Sequence, residues 1–228
     1  GKVHVQGARN IGEAARDLGV RTLVHISAIG ADAGSEAAYS CTKGEGEAEV
    51  RTVFSDATIV RPSIVFGQED QLTNRLAGIS RFGLVPVIAP TTRFQPIFVE
   101  DLAKAIAQAA VEPAAFRGRT YELGGPQVFT MRELTQEILK AAGRDTALID
   151  VPAPVASAIS WLGFLPGAPL TRDQWLMLQH DNVVSEGSSG LEAFGIRATP
   201  FAVVAPEWLG MYGGNRFARP RVNLTANT

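Results

Sequence analysis

Thr22-Leu23-Val24-His25-Ile26-Ser27 is a short apolar run of the type found in buried parallel strands. A polar loop over residues 30–36 follows, a helical pattern occupies 38–54, and Ala57-Thr58-Ile59-Val60 is a second apolar run. Parallel strands cannot be joined by a tight turn, because the chain must return to the end at which it started. Strand, helix and strand in succession therefore mark a parallel sheet, and the fold class is α/β.

The flanking residues extend the alternation. Upstream, Val3, Gly7, Ile11, Ala14, Ala15 and Leu18 form a helical stripe over residues 3–18, with Gly19 placed to end it. Downstream, the pattern predicts a helix over 72–82, short strands over 85–89 and 95–99, and an Ala-rich helix over 100–110. A strand over 120–123 is closed by Gly124-Gly125-Pro126. Thr130 with Glu133 is a capping box, Gly143 is the matching stop, and a strand covers 147–151. Thr171 with Gln174 repeats the capping signal, and Thr199-Pro200 starts a last helix. Beyond Gly213-Gly214, Arg216, Arg219 and Arg221 follow no apolar period, so residues 213–228 read as a flexible tail.

Composition excludes several classes. With 228 residues, 46% hydrophobic and 19% charged, the chain is neither disordered, collagenous nor a coiled coil. A net charge of −2 offers no basic excess to release counterions, so no nucleic-acid partner is expected. Cys41 is the single cysteine and the histidines are His4, His25 and His180, which build no metal-ligand spacing. The first residue is Gly1 and the methionines lie at 131, 177 and 211, so targeting is unreadable. Residues 151–170 carry no charge, but Pro152, Pro154, Pro166 and Pro169 leave only 155–165 as continuous helix. That is about half a bilayer crossing, so no transmembrane span is expected; the stretch reads as a core helix or as a surface docking on a membrane or a membrane-embedded partner.

Tyr39 and Lys43 carry the clearest chemistry. Four positions apart on a helix, they leave one face a turn apart, where an ammonium can favour a phenolate and bring tyrosine toward a useful acid-base pKa. Ser27, at the end of the preceding strand, is placed to polarise a carbonyl or hydroxyl, completing a Ser-Tyr-Lys proton-transfer set. The bland alternative is a solvated helix face. His25 reads as a hydrogen-bonded, partly buried histidine, and Cys41 as a small packed residue. Glu100-Asp101 reads as a pair serving the backbone N–H groups of its own helix start.

These residues resemble the extended and atypical short-chain dehydrogenase/reductases of the NAD-dependent epimerase/dehydratase type. The likeness rests on Val5-Gln6-Gly7-Ala8 with Ala14-Ala15, Leu23-Val24-His25-Ile26-Ser27, Tyr39-x-x-x-Lys43 with Gly46-Glu47, the run from Val60-Arg61-Pro62 through Phe66-Gly67, and Phe98-Val99-Glu100-Asp101-Leu102-Ala103. Within that superfamily the chain is similar to the NAD(P)H-binding accessory subunits of respiratory complex I and their bacterial relatives. Here the signals are Phe66-Gly67-Gln68-Glu69-Asp70, Phe82-Gly83-Leu84-Val85-Pro86, Gln95-Pro96-Ile97-Phe98-Val99, Leu170-Thr171-Arg172-Asp173-Gln174 and Leu191-Glu192-x-Phe194-Gly195-Ile196-x-x-Thr199-Pro200.

The resemblance implies the C-terminal half of a doubly wound Rossmann-type parallel sheet with a small mixed α/β domain. Its parts are a partial NAD(P)-binding domain over 1–125 with some substrate-domain insertions, the small domain over 126–212, and the tail. It implies NADP or NAD as cofactor, with Ser27, Tyr39 and Lys43 at the nicotinamide ribose and Pro62, Ser63 and Ile64 near the carboxamide. No Gly-x-Gly-x-x-Gly turn occurs in the chain, so the phosphate-binding half of the sheet is expected upstream of Gly1. The implied role is a respiratory accessory subunit that holds the nucleotide structurally. Its partners are membrane-bound complex subunits, on the cytoplasmic side of a bacterial inner membrane or the mitochondrial matrix side. The rival is a soluble cytoplasmic NAD(P)-dependent epimerase, dehydratase or reductase working through Ser27, Tyr39 and Lys43.

Overall fold

The computed structural model describes residues 2–164, 168 and 170–213. A π-helical turn (Lys2–Gly7) leads into α1 (Ala8–Asp17), so the stripe over 3–18 is two pieces. The wider first turn lays the His4 carbonyl against Gly46, where any Cβ would lie 2.4 Å from that oxygen. Gly19 ends α1 at φ +66°, the left-handed conformation its position called for.

β1 (Val24–Ile26), α2 (Ala38–Val53) and β2 (Thr58–Pro62) form the parallel unit, with Val24 opposite Thr58 and Ile26 opposite Val60. Pro62 can close β2 because it sits at the strand's end, where only its carbonyl is used, by the Ile29 N–H at 3.0 Å. The chain then makes β3 (Val65–Phe66), α3 (Gln71–Ile79), β4 (Leu84–Ile88), β5 (Arg93–Phe94) and β6 (Ile97–Phe98) before α4 (Val99–Val111). The strand expected over 95–99 is thus only two residues long, since Val99 already begins α4. After the short α5 (Pro113–Phe116), β7 (Thr120–Leu123) returns beside β2, giving a parallel sheet in the order β1-β2-β7. Ile59 and Val60 of β2 are wholly buried, and Val60 packs with Ile97, Leu102, Tyr121, Leu123 and Phe194.

The rest of the chain builds a second lobe from β8 (Phe129–Thr130), α6 (Met131–Ala141), β9 (Ala147–Val151), α7 (Ala153–Trp161), α8 (Arg172–Met177), α9 (Phe201–Val204) and α10 (Pro206–Leu209). Residues inserted between β2 and α4 join it: β4 pairs parallel with β9 and β5 antiparallel with β8. Phe66 and Ala77 share a core with Leu134, Ile138, Phe201 and Trp208. Both capping boxes form as the sequence predicted, at Thr130/Glu133 and Thr171/Gln174. No helix among the described residues is long and apolar enough to cross a membrane. The tail from residue 214 and the end of the apolar stretch at 165–167 and 169 lie outside the described residues.

Asp101 departs from its expected role. It is 2% exposed and, instead of serving its own helix start, its Oδ2 accepts the Thr199 N–H at 2.7 Å. A buried carboxylate finds its donor wherever packing supplies one, here on a segment 98 residues away.

Candidate functional site

The sheet's C-terminal end gathers the residues picked out by motif. Ser27 N donates to Val60 O and Thr58 N to Leu23 O, so those groups face β2. Alternation along a strand then turns Ile26 O away from β2, and Lys43 Nζ donates to it at 2.9 Å. The ammonium lies 5.8 Å from the centre of the Tyr39 ring. Burial holds the Lys43 pKa below its ordinary value, opposed by Glu47. Tyr39 is half-buried, and burial raises its pKa. The two side chains share a face, and the ammonium donates to a strand carbonyl.

Ser27 is 3% exposed and its Oγ has no hydrogen-bond partner among the described residues. A buried hydroxyl left unpaired is costly, and this one lines neither of the cavities described below. His25 lies partly buried as expected, yet its Nε2 has no partner either. Burial first, then the Lys43 charge, hold its pKa down. The Cys41 Sγ rests 3.2 Å from Ala33 O.

Pro62, Ser63 and Ile64 follow β2 at the same end of the sheet. Ser63 Oγ lies 2.8 and 2.7 Å from the main-chain and side-chain oxygens of Asn182, and Ile64 N donates to Asn182 Oδ1 at 3.0 Å. Asn182 Nδ2 in turn donates to Ile29 O at 3.3 Å. One asparagine thus ties both strand ends to the second lobe. It stands in a stretch without motif spacing, and nothing in the sequence singled it out. Between the lobes opens a cleft of about 1110 Å³, with Ile29, Ala37 and Ser40 on the sheet side and Leu76, Met131 and Met177 opposite. Of the six motif residues only Ile64 lines it, while Lys43 lines a smaller hollow of about 240 Å³ along the β1 edge.

Strands that end together beside a Tyr-x-x-x-Lys helix agree with the family comparison. The sequence model described as RmlD substrate binding domain matches residues 1–160. The chain belongs to the RmlD substrate binding domain family. It is 33% identical over 230 residues to the mitochondrial NADH dehydrogenase (ubiquinone) 1 alpha subcomplex subunit 9 of Rattus norvegicus, covering 98% of this chain and 60% of the rat protein. It is 27% identical over 222 residues to the mitochondrial NADH-ubiquinone oxidoreductase 40 kDa subunit of Neurospora crassa, covering 94% and 57%. The chain therefore spans about three fifths of the length of these curated relatives.

The RmlD-family fold recurs in solved structures. The NADPH-dependent quinone oxidoreductase of Escherichia coli, complexed with NADPH, superposes with a TM-score of 0.70 at 22% identity, over 88% of this chain and 70% of that one. The dTDP-4-dehydrorhamnose reductase of Bacillus anthracis, in complex with NADP, gives 0.64 at 19% identity, over 92% and 70%.

Proposed function

We propose that the protein carrying this chain is a nicotinamide-dinucleotide-binding accessory subunit of the respiratory NADH:ubiquinone oxidoreductase, peripheral to the membrane, in which the nucleotide is held rather than turned over. The observation that carries this reading is the likeness to the rat subunit 9 protein over 98% of the chain, through both lobes. In this reading the Ser27 hydroxyl, unpaired among the described residues, Tyr39 and Lys43 would hold the ribose of NADP or NAD, and residues 62–64 the carboxamide. When bound, the dinucleotide supplies hydride chemistry; these residues bind and orient it. The rival reading, a soluble NAD(P)-dependent epimerase, dehydratase or reductase, has the buried, unpaired Ser27 hydroxyl in its favour.

The test is to extract membranes of the source cells in mild detergent and capture the tagged full-length protein. Recovery with an NADH-oxidising, quinone-reducing complex, and release of about one dinucleotide per chain on denaturation, is expected. Recovery as a free soluble enzyme that turns over a ketone or sugar nucleotide with NAD(P)H would overturn the reading.

A further inference from the structure

The helix that carries Tyr39 and Lys43 is capped from the far end of the chain. At the start of α2 the N-cap residue is Ala37, which has no side-chain acceptor. The acceptor comes from Asp173: its Oδ1 takes the Ala38 N–H at 2.5 Å and its Oδ2 the Tyr39 N–H at 3.2 Å, across 135 and 134 residues. The first amides of a helix have no partner within it, and a carboxylate there also meets the positive end of the helix dipole. Asp173 is itself held firmly. It sits in the first turn of α8, fixed by the Thr171/Gln174 box and by Trp175, which is buried against Ala156 and Leu170. Both elements line the cleft, Ala37 and Ser40 at the start of α2 and Gln174 and Met177 on α8. The contact thus joins the two elements at the cleft, and it grips the main chain of Tyr39.

We propose that Asp173 is a positioning residue which, by capping α2 from the second lobe, sets the orientation of Tyr39 at the nucleotide seat. The inference rests on the nucleotide reading given above.

The test uses the full-length protein with Asp173→Ala, Asp173→Asn, Thr171→Ala and Lys43→Ala, reading hydrogen exchange at the Ala38 and Tyr39 amides and NADPH affinity by calorimetry. Asp173→Ala is expected to speed exchange at both amides, and to weaken NADPH binding, each by about five- to tenfold, the worth of one cap. Asp173→Asn, which keeps one acceptor oxygen of the two, is expected to restore protection at one of the two amides and to fall between Asp173→Ala and the parent in affinity. Thr171→Ala loosens α8 but leaves the Asp173 carboxylate, so the two amides are expected to stay protected; their loss there to the same degree would reduce Asp173 to a mere part of α8 and overturn the proposal. Unchanged exchange in Asp173→Ala overturns it as well. So does unchanged affinity in Asp173→Ala when Lys43→Ala weakens binding. Unchanged affinity in both overturns the nucleotide reading, and the proposal with it.

Discussion

Arg61 and Glu47 clasp the two halves of the site. Arg61 Nε donates to Glu47 Oε1 at 2.8 Å and its Nη2 to Oε2 at 2.7 Å, a two-pronged bond from β2 to the helix that bears Tyr39 and Lys43. Glu47 is 6% exposed, and its hydrogen bond holds the Arg61 pKa above the ordinary value. Glu122 stands 3.6 Å away on the other side of the guanidinium. The Gly46-Glu47 and Val60-Arg61-Pro62 motifs are thus complementary parts of one joint.

Glu47→Ala is therefore expected to destabilise the protein by about 3 kcal/mol, the low end for breaking a buried pair, since Glu122 remains to Arg61. Arg61→Lys, which keeps the charge and loses the fork, is expected to fall between that variant and the parent. Denaturant unfolding measures both. A loss below about 1 kcal/mol in Glu47→Ala would show the joint to be ornamental.

Tyr39 and Lys43 separate the two readings of function. In an accessory subunit, Tyr39→Phe leaves NADH:quinone turnover of the assembled complex within about twofold. Lys43→Ala loosens the bound nucleotide about tenfold, the scale of a lost hydrogen bond to a charged group, and lowers assembly by mass action. In a turnover enzyme Tyr39→Phe removes an acid-base group worth about 10²–10⁴ in rate. Steady-state rates and nucleotide content of the purified variants distinguish the two.

Gly44 is a steric test of how the loop at 30–36 lies on α2. A Cβ there would come within 2.4 Å of Ala33 N and 2.6 Å of Asp32 C, both main-chain atoms. Gly→Ala inside a helix ordinarily gains up to about 1 kcal/mol. Here the clash is expected to reverse the sign and cost about 1–3 kcal/mol, as overpacking does. Because Cys41 Sγ bonds to Ala33 O, displacement of the loop also frees the thiol, so Gly44→Ala should react faster with a thiol reagent. Thermal unfolding and labelling rates check the two effects.

His25 gives the fold an acid-sensitive window. Its folded pKa lies below the unfolded value of 6.5, through burial first and the Lys43 charge second. Above 6.5 the group is neutral in both states and contributes no pH dependence. Below it the unfolded chain binds a proton that the folded chain refuses, so stability falls as pH drops from 6.5 through the folded pKa. His25→Val, which suits a strand and cannot titrate, is expected to flatten the fall of Tm between pH 7 and about 5.5. Glu133 and Asp181 are held below their ordinary range by the donors of Thr130 and Arg93, so their losses come at lower pH. Equal slopes for wild type and His25→Val would refute the assignment.

Features set within one or two turns of chain were legible in the residues. The Thr130/Glu133 and Thr171/Gln174 caps, the strands Thr120–Leu123 and Ala147–Val151, and the left-handed Gly19 and Gly143 all follow from neighbours a few positions apart. So did the parallel unit around residues 22–62 and the placing of Tyr39 and Lys43 on one helical face. Partner choice was not legible. Whether Lys43 meets a phenol or the Ile26 carbonyl depends on which carbonyls of β1 are turned away from β2. The bonds of Ser63 to Asn182, Asp101 to Thr199 and Asp173 to the start of α2 join residues 119, 98 and 135 positions apart. Each is made because burial strips a polar group of water and the packed chain offers one compensating group within reach, a condition that exists only after the lobes have closed.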